Sequence, residues 1–402
     1  MYLSRRALLG TAAAAGITTR AGAQAQTIKF GVLTDMSGPY QNVAGPGATV
    51  AAQMAMAEFK ASGFNVEVVS ADHQNKPDVG VGIVRQWFDR DGVDVILEVA
   101  NSAVTLAVQG VAKEKNKVFL ASGAATSDVT GPACNANTVH WVYDTFMLAK
   151  STGGAMVKAG GDSWFFLTAD YAFGHALERD VGDFVKAAGG KVMGGVRTPF
   201  PGTTDFSAFL LQAQASGAKV LGLANAGADT INSIKQAREF GIKMRLAGLL
   251  VFLSDVHSLG LDVCQGMALT ESFYWDLNAS TRAFSDRFTA KAPGKRPTMV
   301  QAGTYSSAMH YLKVAATMGP AQAKLDGAAT VARLKATPTD DECFGKGSIR
   351  IDGRKIHPSY LFEVKKPSES KGAWDYYKLL GSTPAEDAFR PLNAGNCPLV
   401  KA

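Results

Sequence analysis

Hydrophobic and polar residues alternate along this chain in two patterns, which take turns from Thr27 onward. Short apolar runs such as KFGVL, VDVIL and KVFLA are typical of strands buried inside a sheet. Between them, apolar residues recur every three or four positions, as on one face of an amphipathic helix. Repeated strand–helix–strand units of this kind predict parallel sheets covered by helices on both faces.

The first part of the chain predicts a lobe of alternating strands and helices. The strands are TIKFGVLTD, FNVEVVSAD, VDVILEVA and KVFLA. The helices are GATVAAQMAMAEFKASG, PDVGVGIVRQWFDRDG and SAVTLAVQGVAKEKN. In the first helix we expect Val50, Met54 and Ala57 to face inward, because they lie on one side of a helical turn pattern.

The same alternation restarts after Asp144 and predicts a second lobe. Its strands are SWFFLTAD, KVMGGVRTPF, KVLGLANAG and RLAGLLVF, and its helices are GGAMVKAGG, HALERDVGDFVKAAGG, DFSAFLLQAQASG and DTINSIKQAREFG. Three consecutive helices follow, NASTRAFSDRFTAKAPG, MVQAGTYSSAMHYLKVAATMG and DGAATVARLKATP. A hairpin, GSIRIDGRKIHPSYLFEVKK, then turns at Asp352-Gly353. If these helices complete the first lobe, the chain crosses between lobes several times, which favours a hinged closure.

The length and composition agree with this division. A chain of 402 residues is too long for one ordinary core. Its 47% hydrophobic and 19% charged residues are the balance of a folded, soluble protein. We therefore predict an α/β fold class with two Rossmann-like lobes, each a mostly parallel sheet flanked by helices.

The N-terminal segment MYLSRRALLGTAAAAGITTRAGAQAQ predicts an export signal over residues 1–25. Arg5 and Arg6 precede an apolar stretch, as in twin-arginine signals, and cleavage is expected near Ala23 or Ala25. A short amphipathic helix is the alternative interpretation. No cysteine follows the small residues, and no run of about 20 apolar residues follows downstream. The sequence thus predicts a protein free in the periplasm.

Charge gives no support to nucleic-acid binding. Without Arg5, Arg6 and Arg20 of the predicted signal, the chain has 38 basic against 35 acidic residues, a net charge of +3 instead of +6. No run of lysine or arginine accompanies this small surplus, so we expect no nucleic-acid partner.

The four cysteines, Cys134, Cys264, Cys343 and Cys397, show neither a C-x-x-C motif nor zinc-ligand spacing. In an oxidising compartment they allow one or two disulfides, and three pairings of four cysteines are possible. We favour Cys134 with Cys397, because both lie in turn-rich segments.

No set of catalytic residues emerges from the sequence. The motifs H-E-x-x-H and G-x-S-x-G and the P-loop are absent, and the six histidines have no metal-ligand spacing. The segment AGPGATV resembles a dinucleotide-binding turn, but it lies a long loop beyond the preceding strand. We therefore expect a binding protein rather than an enzyme, with no cofactor and no metal.

The stretch FLASGAATSD, residues 119–128, is a candidate binding loop. It follows a buried strand and contains the hydroxyls of Ser122, Thr126 and Ser127, without histidine, cysteine or lysine beside them. Open α/β sheets bind ligands where strands end and helices begin, and free N–H groups there favour an anion. The pattern indicates a loop that holds a ligand.

Several motifs, taken in order, resemble a known family over nearly the whole chain after the predicted signal. IKFGVLTDMSGPY, DHQNKPD, SGAATSDVTG, DYAFG, TDFSAFLLQAQASGAKV and FGKGSIRIDGR are similar to segments of extracytoplasmic solute-binding proteins of the branched-chain amino acid ABC-importer type. The resemblance implies the type I periplasmic binding protein fold, with a three-segment hinge near residues 139–144, 268–275 and 352–359. It implies that lobe one comprises 27–140 plus 270–353, and lobe two 141–269 plus 354–402.

The resemblance also implies a set of ligand-binding residues. A backbone group of Ala124 and the hydroxyl of Thr126 would bind the solute's carboxylate, with Ser102 as a further donor. The alternative for Ser102 is a simple helix N-cap. The same matching adds further cleft positions, for whose aromatic members core packing is the alternative: Tyr40, Asn42, Tyr171, Asn225, Ala226, Leu250 and Tyr274.

One stretch departs from the family's pattern. Amino-acid binders of this family place a glutamate after a lobe-two strand to pair with the ligand's ammonium group, whereas this chain has Leu249, Leu250 and Val251 there. An unpaired ammonium in a closed cleft is unfavourable. We therefore expect the solute to be an organic acid, and we favour an aromatic one, unless Asp255 or Glu271 replaces that glutamate.

The function implied by the resemblance is that of a periplasmic solute-binding component of an ABC importer. It would capture a small carboxylate-bearing solute, as a monomer, and deliver it to the ABC permease subunits. Two alternatives remain open at this point. One is a sensory protein of the same fold, and the other is a binder of amides or urea.

Overall fold

The computed structural model describes residues 26–60 and 63–401, so the predicted signal peptide lies outside the described residues. The first part of the chain alternates strands and helices as predicted. These elements are β1 (Gln26–Thr34), α1 (Gly45–Glu58), β2 (Phe64–Asp72), α2 (Pro77–Asp89), β3 (Val95–Glu98), α3 (Ser102–Glu114), β4 (Val118–Ala121) and β5 (Thr138–His140).

The strands of this part form one parallel sheet in the order β2-β1-β3-β4-β5. The central strands β3 and β4 are buried along their whole length, which explains why they read as uninterrupted apolar runs. The carboxyl ends of β1, β3 and β4 lie side by side at one edge of the sheet, because the pairing is parallel and in register.

The second part of the chain forms another parallel sheet, ordered β7-β6-β8-β9. The predicted strand RLAGLLVF ends early, because only its first four residues pair with β8. A π-helical segment, Ala149–Gly153, joins α4 to α5. The elements are α4 (Thr145–Leu148), α5 (Gly154–Lys158), β6 (Ser163–Ala169), α6 (Ala172–Ala187), β7 (Lys191–Thr198), α7 (Ser207–Ala215), β8 (Val220–Ala224), α8 (Ala228–Glu239), β9 (Arg245–Gly248), α9 (Leu253–Leu259), α10 (Leu261–Cys264) and β10 (Ala268–Glu271).

After β10 the chain returns to the first sheet. Helix α12 packs against α1, and α13 and α14 pack against α12. These returning elements are α11 (Ala279–Lys291), α12 (Met299–Met318), α13 (Pro320–Leu325), α14 (Gly327–Ala336), β11 (Thr339–Asp341), β12 (Gly345–Ile349) and β13 (Lys355–Ile356).

Helix α1 buries a different face from the predicted one. Met54 is buried as predicted, but Ala57 is exposed and Val50 is only half-buried. The contact with α12 is close, since a Cβ at Gly47 would lie 2.2 Å from the side chain of Gln301. Helices approach this closely only through small residues, and the alanines of α1 therefore turn inward. They are Ala48, Ala51, Ala52 and Ala55.

The predicted hairpin is present, but it is shorter than predicted. β12 and β13 pair antiparallel around a turn in which Gly353 has a φ of +85°. The second arm stops at Ile356, because Pro358 has no N–H group with which to continue the ladder. The chain then enters a separate antiparallel sheet with β10. Its last elements are β14 (Ser359–Val364), β15 (Tyr377–Thr383) and α15 (Ala385–Ala388).

The chain thus passes three times between its two sheet-based halves, after β5, after β10 and after β13. Two of these passages are tied together. The buried guanidinium of Arg354 donates to the carbonyl of Val142, and His357 also bonds to that carbonyl. Three parallel connections restrain twisting between the halves more than opening, as in hinged lobe closure.

The predicted disulfide between Cys134 and Cys397 is confirmed, and the free cysteines Cys264 and Cys343 are buried. The bond holds the C-terminal segment against the loop after β4, where Arg390 also donates to the carbonyl of Ser127. The predicted lobe boundaries remain predictions, but this last segment contacts the first half of the chain.

Within the described ranges, every helix falls short of the length or the apolarity that a bilayer span requires.

Candidate functional site

A small cavity lies where the carboxyl ends of the two sheets face each other. This is the edge at which open α/β sheets bind ligands. Both halves of the chain contribute to its wall, and Tyr143 contributes from the first passage between them. The other lining residues are Tyr40, Val43, Ala100, Ser102, Gly123, Ala125 and Val300 from the first half, and Tyr171, Phe173, Ala226, Leu250 and Phe252 from the second.

The candidate binding loop forms the polar part of this wall. Three consecutive carbonyls of the loop are each bonded to a residue of the hinge region: Gly123 to the Tyr143 hydroxyl, Ala124 to His140 Nε2 and Ala125 to the Thr145 amide, all at 2.7 Å. In the described part of the chain, the N–H groups of Gly123 and Ala124 make no hydrogen bond. These two amides are therefore available to an acceptor in the cavity.

His140 holds the loop without adding charge. Its imidazole is fully buried, and burial together with the nearby Arg354 guanidinium lowers its pKa well below the ordinary value. The ring is therefore neutral at pH 7. Since Nε2 faces a carbonyl oxygen, Nε2 carries the proton and donates it to Ala124.

Ser102 lies in the first turn of α3, but it does not cap that helix. The N-cap is Asn101, whose side chain accepts from the amides of Ala103 and Val104. The hydroxyl oxygen of Ser102 instead accepts from two amides of the binding loop, at 3.4 and 3.2 Å. Because it accepts in both bonds, its own hydrogen is free for a group in the cavity.

Thr126 takes a different position from the one that the resemblance implied. Its side chain is fully buried and accepts from the amide of Asp128, so that it caps a short 3₁₀ helix, Ser127–Thr130. It is absent from the described cavity lining, where its neighbour Ala125 lies instead. Ala124 is likewise absent from this lining, and its carbonyl is bonded to His140, so the implied role of its backbone in binding stays a prediction.

An aromatic lid closes the cavity between the halves. Tyr40 and Tyr171 share a hydrogen bond through their hydroxyls, and Phe200 stacks on both rings, 4.3 Å from Tyr171 and 5.5 Å from Tyr40. Burial raises the pKa of both phenols above the ordinary value, so both remain neutral donors. Phe200 was not among the predicted residues, although its place just beyond a strand end, like that of Tyr171, was a usable signal.

Besides Ala124 and Thr126, three more predicted residues lie outside the cavity lining. Asn42 is exposed and faces a separate surface depression. The side-chain amide of Asn225 is buried and bonded within its own loop, to Ser233 and Thr230. Tyr274 packs in the core of the second half. Ala226 and Leu250 line the cavity as expected.

The two acids that could replace the missing glutamate lie behind the wall. Asp255 is buried and accepts from the Phe252 amide, and burial raises its pKa to about 7. Burial also raises the pKa of Glu271 well above its ordinary value. No residue of the described lining carries a charge, and the described ranges contain no cluster of three potential metal ligands.

Comparison with known proteins gives a consistent picture. A family model described as periplasmic binding protein matches residues 27–373. A solved periplasmic binding protein from Burkholderia mallei is 49% identical, with a TM-score of 0.90, and the match covers 94% of this chain and 100% of that chain. These likenesses confirm the predicted family and the predicted fold class.

Two further solved structures share the fold. A branched chain amino acid ABC transporter periplasmic ligand-binding protein from Burkholderia xenovorans is 40% identical, with a TM-score of 0.80, over 92% of this chain and 99% of that one. An ABC transporter solute-binding protein from R. palustris, in complex with benzoate, has a TM-score of 0.80 at 20% identity, over 89% and 97%. The second likeness concerns the fold alone.

Proposed function

This chain belongs to the periplasmic binding protein family, and we propose that it is the solute-binding component of an ABC importer. It captures a small carboxylate-bearing solute by closing two lobes and delivers that solute to the permease subunits. In this proposal residues 1–25 direct twin-arginine export, are cleaved near Ala23 or Ala25, and leave a monomer in the periplasm.

One observation carries the proposal. The free amides of Gly123 and Ala124, just after β4, and the free hydroxyl hydrogen of Ser102, at the start of α3, form one patch that we call the carboxylate patch. Gly123 and Ser102 line the cavity, and Ala124 follows Gly123 directly. A helix N-terminus attracts negative charge, and backbone N–H groups bind carboxylates there. No cationic side chain lines this patch, so the carboxylate is bound by dipoles and can be released again.

The rest of the wall favours an apolar or aromatic solute. Aromatic side chains surround the cavity, and Leu250 stands where a glutamate would pair an ammonium group. The cavity is small, which favours a solute smaller than a typical drug. A protein of the same fold holds benzoate. We therefore propose a small aromatic or aliphatic acid rather than an α-amino acid.

The proposed contacts are sufficient to close the lobes. A solute must favour the closed form by about 5.5 kcal/mol to raise its population from 1% to 99%. Charge-assisted hydrogen bonds contribute roughly 1.5–3 kcal/mol each. Three donors to one carboxylate contribute roughly 4.5–9 kcal/mol, a range that includes this value without a salt bridge.

The first test is a solute panel. Bound solute is removed by unfolding and refolding the purified protein, and thermal shift and calorimetry then compare benzoate, butyrate, leucine and benzamide. A solute at a hundred times its dissociation constant stabilises the fold by about 2.7 kcal/mol, a readable shift. We expect binding of at least one of the two acids but not of leucine or benzamide, which lacks the charge of benzoate at nearly the same shape.

The other outcomes identify the alternatives. Binding of benzamide without either acid would support an amide binder, and binding of leucine would show that a buried acid pairs the ammonium. Acid binding without uptake by vesicles that contain the cognate permease would support a sensory role.

The second test concerns the carboxylate patch itself. Ser102→Ala should weaken acid binding about tenfold, because it removes one charge-assisted donor. The matched control is Ser280→Ala, which alters an exposed serine in the first turn of α11. Equal affinities for both variants, measured by calorimetry, would remove Ser102 from the site.

A further inference from the structure

Glu98, which the proposed site leaves unused, lies directly behind the carboxylate patch. It is the last residue of β3 and is fully buried. Its backbone has a φ of +78°, and the following residue, Val99, has a φ of +64°. Two consecutive residues with side chains in this conformation are strained, and such strain is concentrated at functional sites.

The carboxyl group of Glu98 lies against the cavity wall. A Cβ built at Gly123 would lie 1.9 Å from its Oε1 and 2.7 Å from the Cα of Ala100, and Gly123 and Ala100 both line the cavity. Only a glycine at position 123 therefore allows the carboxyl so close to the cavity wall.

The carboxyl makes no regular hydrogen bond in the described part of the chain. Neither of its buried oxygens has a bond of ordinary length and angle, although the Thr34 hydroxyl and the Val99 amide lie near enough to act on its pKa. Buried polar groups are nearly always bonded, and an exception calls for a ligand or another explanation. The strain and the absence of a regular hydrogen bond occur in the same residue, next to the cavity that the candidate binding loop lines.

The acid is neutral at pH 7. Burial, together with the charge of Asp35 just after β1, raises the pKa of Glu98 to about 8. The other titratable group that faces it is the phenol of Tyr143, whose own pKa is raised by burial and by Glu98. A protonated carboxyl is a hydrogen-bond donor, whereas an ionised one would repel a carboxylate.

We propose that Glu98 is a specificity-determining residue that, in its protonated form, donates a hydrogen bond to the carboxylate of the solute. The inference rests on the proposed function and deepens it. Glu98 adds a donor beside the amides of Gly123 and Ala124, so that the solute's negative charge is bound without any cation. The carboxyl group of Glu98 makes a regular hydrogen bond only when the carboxylate of a solute is present.

Calorimetry with benzoate between pH 6 and pH 9.5 tests the inference. The affinity of the wild-type protein should be constant below pH 7 and should fall about tenfold for each pH unit above the pKa of Glu98. Glu98→Gln keeps a neutral donor of the same shape. Its affinity at pH 7 should stay within about threefold of wild type and should not fall at high pH.

Two further measurements complete the design. Glu98→Ala should bind benzoate at least about tenfold more weakly at pH 7. Titrations of the wild-type protein at pH 8.5, in two buffers of different ionisation enthalpy, should show proton uptake on binding that Glu98→Gln lacks. Proton uptake is measured on the wild-type protein, so the inference can be judged even if the alanine variant does not fold.

Opposite results have distinct meanings. If Glu98→Gln shows the same decline at high pH as wild type, or if wild type takes up no proton, the role of Glu98 is refuted while the carboxylate site stands. If leucine binds more tightly as pH rises and Glu98→Gln abolishes that binding, Glu98 is an ionised partner of an ammonium. If the wild-type protein binds no carboxylate at any pH, the proposed function fails and this inference fails with it.

Discussion

At the scale of single residues, the proposed site offers main-chain amides and hydroxyls instead of charged side chains. The loop residues Gly123 and Ala124 are held by bonds to their carbonyls, which leaves their amides free. Such a site has little to reorganise when the solute arrives, and this preorganisation favours affinity. The hydroxyl pair of Tyr40 and Tyr171 then bonds one lobe to the other.

Tyr171→Phe should weaken solute binding while leaving the fold intact. The variant loses the hydrogen bond across the lobes, worth about 0.5–1.5 kcal/mol, and affinity should fall roughly twofold to tenfold. Calorimetry gives the affinity, and the melting temperature without solute reports the fold. The matched control is Tyr376→Phe, which loses a phenol bonded to His257 at 2.8 Å, away from the cavity lining. If both variants bind equally well, the hydroxyl pair plays no part in closure.

The sequence alone was enough to predict some of the residues that line the cavity, but not all of them. Tyr40, Ser102 and Tyr171 line the cavity because each follows a strand end, a position that the apolar pattern reveals. Tyr274 also comes soon after a strand, but its side chain turns into the core, with its hydroxyl bonded to the Trp374 carbonyl. The direction of a side chain after a strand depends on its neighbours in space, which the local pattern does not encode.

At the scale of elements, a chain of hydrogen bonds joins the lid to the carboxylate patch. Asp35 accepts from the amide of Tyr40 at 2.8 Å and from the side chain of Asn75 at 2.7 Å. Asn75 accepts in turn from Asn101, the cap of the helix that begins at Ser102. The turn after β1 and the start of α3 are therefore positioned by one buried polar network.

Asn101→Ala should lower both stability and solute affinity. Loss of an N-cap costs about 1 kcal/mol of stability, and here it also loosens the first turn of α3 beneath the solute. Asn278→Ala is a matched control, because Asn278 caps α11 through the same pair of bonds. Urea unfolding should show similar losses for both variants, whereas calorimetry should show weaker binding for Asn101→Ala alone. A similar affinity for the two would refute a role of the cap in binding.

At the scale of the whole molecule, three passages of the chain join the lobes, and one disulfide fastens the end of the chain. Cys134 and Cys397 are 263 positions apart. Their bond keeps the last segment on the loop that follows the carboxylate patch, near Ser127. A crosslink across so much chain restricts the unfolded state strongly.

The variant Cys134→Ala/Cys397→Ala should be less stable by about 2–5 kcal/mol, because its unfolded chain regains the freedom that the crosslink removes. Urea unfolding with and without a reductant measures this. The wild-type protein should lose stability in the reductant, and the double variant should not respond. Solute affinity should change little, since neither cysteine lines the cavity. An unchanged urea midpoint in the double variant would contradict a stabilising role.

The sequence by itself determined the alternation of strands and helices, the two-lobed fold class and the family, because periodicity and ordered motifs are local properties of the chain. It also indicated the carboxyl ends of strands as the place of the site. Only the tertiary structure decided which side chains meet there. Phe200 joins the lid, and Glu98 lies behind Gly123, while Asn42 remains outside. These relations depend on distances between segments apart in sequence, which are fixed when strands and helices pack within each lobe and when the two lobes meet.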